Sequence, residues 1–165
     1  MLSWYYLNVT VHVLAALLWL GGMFFLGVVG APVLRRVEPP AVRAQLFHQL
    51  GMAFRTAGWA AIAVLLVTGV LNLHFRGFLS AAGLGSRSFW ATRYGHVLAL
   101  KLVLVTLMLM LSAFHNFVHG PAAARFQPGS PGALRHRRQA AWLARVNALL
   151  GIVLVYAAVR LARGG

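Results

Sequence analysis

An all-α integral membrane protein, an antiparallel bundle of four spanning helices, is the fold class this sequence predicts. Three observations carry it. Apolar residues make up 61% of the 165 residues and charged ones only 10%, where a soluble domain holds roughly a quarter charged. Residues 2–34 contain no Lys, Arg, Asp or Glu. Three further apolar runs follow, separated by stretches rich in Arg, Gly, Pro and Ser. The length suits a single membrane domain over residues 1–165.

Each element has its own signal. A crossing needs roughly 20 residues, so the first span is placed at about 4–29, stopped by Pro32 and Arg35–Arg36. The N-terminus lacks a basic leader region, and the run exceeds a leader's apolar core, so a retained span is expected. Residues 38–52, EPPAVRAQLFHQLGM, read as a loop and a short amphipathic helix beginning at the prolines. The second span is placed at 53–75, and its uncharged stretch, 56–75, is flanked by Arg55 and Arg76. A loop at 77–89 with three glycines and three serines leads to a third span at 90–118. Residues 121–138 read as a polar loop ending in the basic run RHRR. The fourth span is placed at 139–161, with Arg145 and Asn147 near its start. Small residues suited to close helix contact are Ala15, Gly22, Ala57, Ala61 and Gly151.

Charge sets the orientation. The formal charge is +14, from 15 Lys and Arg against one acid, Glu38. The face holding the 31–52 and 119–138 segments, termed B, carries nine arginines with its adjoining helix ends, against six cations at most on face A. The positive-inside rule then puts B in the cytoplasm and both termini outside, in a bacterial inner membrane. Membrane lipids, rather than nucleic acid, are the partners such arginines suit. The absence of cysteine excludes disulfides, iron–sulfur clusters and thiolate metal sites. A single acid excludes two-carboxylate chemistry within one chain. No nucleotide-binding or Ser-His-Asp pattern is present.

Histidines provide the candidate chemistry. His12, His74 and His96 fall on three different spans, all toward face A. Imidazoles within a membrane are costly unless partnered or functional. Two of them suit the axial positions of a b-type haem, with Arg76 and Arg93 placed for the propionates and Trp19, Trp90, Phe75 and Phe78 as walls. All three suit copper or zinc. Interfacial histidines with no metal, or an organic ligand such as a quinone, are further readings. Lys101 lies deep in the third span, where it either snorkels, tunes charge at a cofactor, or meets Asn72 or a bound anion. Weaker candidates on face B are His115 and His119, spaced i, i+4, with His48 as a third ligand.

Four segments carry a family resemblance: VHVLAALLWLGGMFF at 11–25, LLVTGVLN at 65–72, YGHVLALKLVLVTLMLMLSAFHN at 94–116 and RRQAAWLARVN at 137–147. Together they resemble the copper-resistance D domain family and the related four-span, haem-binding protoporphyrinogen oxidase family of bacteria. The oxidase branch implies a haem ligand at His12, with its third-helix histidine and lysine at His96 and Lys101. The copper branch implies copper uptake across the inner membrane with a periplasmic copper-binding partner. This chain is more similar to the copper branch in its second and third helices, and lacks the extra helices of the longer members. The leading expectation is a haem b-binding membrane redox protein, a candidate haem-dependent oxidoreductase. It would pass electrons from a quinol or porphyrinogen to a small redox partner near the outer face. The alternatives are a copper-binding uptake protein and a cofactor-free assembly subunit, and each reading allows a homodimer.

Overall fold

The computed structural model describes residues 2–80, 82–119 and 130–164. The chain forms two compact units, residues 1–85 and 86–165. All regular structure among the described residues is helical, and four helices are long and apolar enough to cross a membrane. Each unit holds two of them.

In the first unit, α1 spans Ser3–Leu34 and α2 spans Pro40–Phe75. Two wide π-helical turns, Leu17–Gly21 and Leu26–Gly30, interrupt α1. The helix therefore passes through Pro32 instead of stopping there. Pro32 falls at the start of the last α-helical segment, Ala31–Leu34, directly after the wide turn Leu26–Gly30. The amphipathic segment and the second span are likewise one helix of 36 residues. Pro39 is extended and Pro40 opens α2, as the prolines predict, but nothing between Met52 and Arg55 breaks it. At 1.5 Å per residue α2 is about 54 Å long, longer than the roughly 30 Å of hydrocarbon, and one end opens at Pro40. The other end closes at Gly77. There the Gly77 N–H donates to the His74 carbonyl at 2.9 Å and the Phe78 N–H to the Leu73 carbonyl at 3.0 Å. This closure needs a left-handed residue, and Gly77 has φ of 73°.

The two helices run antiparallel, and small residues set their separation. A Cβ on Gly22 would run into the Phe54 ring, and one on Gly58 would lie 3.8 Å from the Trp19 ring. Ala15, Trp19, Leu20, Ala61 and Ile62 complete the buried seam. The wide turn at Leu17–Gly21 brings the consecutive residues Trp19 and Leu20 into it together.

In the second unit, a short helix α3, Arg87–Trp90, precedes α4, Arg93–Ala113, which continues as a π-helical turn, Phe114–His119. Trp90 is thus outside the third span. Thr92 starts α4, its hydroxyl accepting from the Gly95 N–H at 3.0 Å. Helix α5 covers Pro131–Ala162, so residues 131–138 are helical rather than loop. Pro131 opens it, and the Ala, Leu, Arg and Gln that follow are strong helix formers. Arg125 and Pro128 fall outside the described residues. Leu104 and Met108 of α4 are buried in this unit with Asn147, Leu154, Ala157 and Leu161 of α5. Asn147 donates across the pair to the Ser112 hydroxyl at 3.0 Å, the interhelical role its place in the sequence suggests.

Gly95 has no room for a side chain, because a Cβ there would overlap the Phe89 carbonyl and crowd the Trp90 backbone. Gly95→Ala is expected to cost about 1–3 kcal/mol. Gly27→Ala, with nothing within 4 Å of the added carbon, leaves stability unchanged or slightly raised. Thermal melts of the detergent-solubilised variants followed by circular dichroism check the pair, and equal midpoints would refute the assignment.

Candidate functional site: a polar seam in the first hairpin

Near one end of the first hairpin the apolar seam gives way to four polar side chains. Asn8 and His12 lie four residues apart on one face of α1, and Thr68 and Asn72 do the same on α2. The Asn8 amide donates to the Thr68 carbonyl at 3.0 Å and to Asn72 Oδ1 at 2.9 Å. His12 Nδ1 lies 2.7 Å from Thr68 Oγ1. Asn8 and Thr68 are buried and His12 is half-buried. Gly69 faces the ring, and a Cβ there would lie at ordinary contact distance, 3.6 Å, from His12 Cε1.

The hydrogen bonds define the imidazole's chemistry. The Thr68 hydroxyl donates to the Val64 carbonyl at 2.6 Å. Its single proton is thus committed, and it accepts from His12 Nδ1–H. The ring's lone pair then resides on Nε2, the atom able to bind a metal. A ligating histidine whose other nitrogen donates to a fixed acceptor is the usual outer-sphere arrangement. Above the seam, Arg76 donates to the Tyr5 hydroxyl at 3.2 Å, and the Tyr5 and Phe75 rings meet edge-on at 6.1 Å.

The other sequence candidates are distributed differently. His74 lies six residues beyond Thr68, about 9 Å along the helix, and is exposed. His12 and His74 therefore do not share a level in this hairpin. Arg76 is exposed and donates to the Tyr5 hydroxyl. Trp19, a candidate wall of a cofactor slot, packs in the hairpin seam against Gly58 instead. His96, Arg93 and Lys101 belong to the second unit, where His96 and Arg93 are exposed and Lys101 is half-buried. His48 is exposed on α2, and His115 is half-buried in the π-helical turn of α4. The side chain of His119 lies outside the described residues. Among the described residues no group of three or more histidines or acids gathers to hold a metal ion.

Asn8 and Thr68 are the site residues that sequence reasoning passed over. The signal was present as two i, i+4 polar pairs, Asn8–His12 and Thr68–Asn72, each on an apolar helix. Threonine is common in membrane spans, and pairing the two helices in register required the structure.

Residues 48–161 match the family model described as copper resistance protein D. A protein of Aquifex aeolicus (strain VF5), described as uncharacterized, is 29% identical over 154 residues, covering 93% of this chain and 92% of the relative. No solved structure matches.

The tautomer is directly measurable. Nitrogen NMR of the histidine-labelled protein is expected to show His12 protonated at Nδ1. Thr68→Val removes the acceptor and shifts the ring toward the Nε2-protonated form, whereas Thr68→Ser retains the wild-type signal. An Nε2-protonated wild-type ring would contradict the assignment.

Proposed function

This chain belongs to the copper resistance protein D family, and on that basis we propose that it binds copper in the membrane and passes it across. Copper is the cargo here rather than a resident cofactor. The observation that supports this reading is the His12 imidazole, held in a membrane-spanning hairpin by the contact of its Nδ1 with Thr68 Oγ1. Imidazole nitrogen suits copper well. The Thr68 contact fixes the ring's orientation and raises its basicity as a ligand. Asn8 and Asn72 brace the same point, so the ring is held without a carboxylate. The arrangement suits a transport step, in which a metal must bind and also leave. His74, exposed nearer the same end of the hairpin, is the further imidazole we assign to copper on its way in.

The surroundings follow from charge. With the basic B face cytoplasmic, both termini and the His12 end lie outside. In a bacterial inner membrane that end meets a periplasmic copper protein as donor. The family match favours this reading over haem-based electron transfer, which would draw on the same His12.

One purification separates the readings. The detergent-purified protein is expected to be colourless and to bind Cu(I). His12→Ala should weaken binding roughly tenfold or more, as for the loss of a ligand. His136→Ala, in the basic run of α5, leaves it unchanged. Cells expressing the wild type should accumulate more copper than cells expressing His12→Ala. A Soret band with split α/β bands after reduction, lost in His12→Ala, would establish the haem reading instead.

A further inference from the structure

Helix α5 has two opposite faces, and only one is used by its hairpin. Asn147, Gly151, Leu154 and Leu161 are buried. About 180° around the helix lies a row spaced three and four residues apart: Arg135, Arg138, Trp142, Arg145, Leu149, Ile152 and Tyr156. All seven are exposed, with Trp142 at 61%, Leu149 at 63%, Ile152 at 54% and Tyr156 at 61%. The row is ordered by chemistry. Its first part is cationic with one tryptophan, and its second part is apolar. An open depression of about 660 Å³ runs along Arg138, Trp142 and Arg145.

We propose that this face binds an anionic phospholipid, its phosphate held between Arg138 and Arg145 and its acyl chains lying along Leu149, Ile152 and Tyr156. Four features point to that ligand. Residues 146–159 carry no charge, so the row crosses from headgroup to hydrocarbon at Trp142–Arg145, and tryptophan is the residue favoured at that level. The two arginines lie on the same exposed face, separated by about 10 Å along the axis. Side chains on a helix lean toward its N-terminus, so Arg145 is directed back toward the headgroup and away from the hydrocarbon. Finally, the chain supplies no counter-ion: its one acid, Glu38, is paired with Arg43 at 3.2 Å.

Charge also selects against the other occupant of such a row. A second copy, packed through the same face in the same membrane orientation, would set these arginines against one another without a carboxylate between them. A phospholipid supplies both the anion and the apolar tail that the row requires. The proposal is independent of the copper reading.

Native mass spectrometry of the full chain in neutral detergent tests it, with phosphatidylglycerol, phosphatidylcholine and inorganic phosphate as probes. The wild type is expected to retain phosphatidylglycerol at roughly tenfold lower concentration than phosphatidylcholine. Arg138→Gln/Arg145→Gln should abolish that preference. Arg35→Gln/Arg36→Gln removes the same charge from the first unit and should keep the preference within about twofold. The conservative pair Arg138→Lys/Arg145→Lys should retain part of it, which separates lost charge from lost folding. Equal loss in the two glutamine pairs overturns the proposal in favour of diffuse attraction. Full displacement by inorganic phosphate at equal concentration overturns it in favour of a free-anion site. No wild-type preference overturns it outright. A dimer that disappears in Arg138→Gln/Arg145→Gln overturns it in favour of a second copy.

Discussion

The amide of Asn8 reaches across the first hairpin to the Thr68 carbonyl and the Asn72 side chain, and this contact orders the site around it. Between helices in lipid, apolar burial supplies little, because the hydrocarbon is as apolar as leucine. What remains is close packing and a few hydrogen bonds that no water competes for. Such bonds contribute about 0.6 kcal/mol on average and up to about 2 in favourable cases. Their larger effect is on register. A shift of α1 by one residue against α2 would strand Asn8, Asn72 and His12 among apolar groups at the same moment. In the second unit, the Asn147–Ser112 bond does the same for α4 and α5.

Backbone geometry contributes the second constraint. The π-helical turns of α1 widen the helix at two places that both end in glycine, Gly21 and Gly30. Where the helix widens, neighbouring residues turn toward α2 together, as Trp19 and Leu20 do. On α2, Gly58 and Gly69 face the Trp19 and His12 rings at ordinary contact distance. The large rings and the glycines that face them are thus one packing solution, and the imidazole occupies part of it.

The chemistry follows from a protein that has almost no acids. Histidines in soluble metal sites commonly donate their second nitrogen to a carboxylate. Here the His12 Nδ1 faces a threonine hydroxyl that itself donates to a main-chain carbonyl. The substitution keeps the seam neutral, which matters in a medium where an unpaired carboxylate is costly.

The sequence by itself determined the four spans, the distribution of charge along the chain, and the histidines worth considering. Those properties are local or additive. Apolar length, the position of Arg76, and the prolines before α2 act on the segment that contains them. The segments at 11–25, 65–72, 94–116 and 137–147 together brought the copper family into view. Helix limits at Pro32, residues 53–55, Thr92 and Pro131 were less legible, because a proline at a first helical position and a proline that ends a helix read alike. Only the tertiary structure decided that His12 pairs with Thr68, that Asn8 braces it, and that Trp19 belongs to the hairpin seam. Those facts depend on the rotation and register of two helices about their axes. In an almost uniformly apolar sequence, periodicity leaves both open, and a few polar side chains settle them only when they meet.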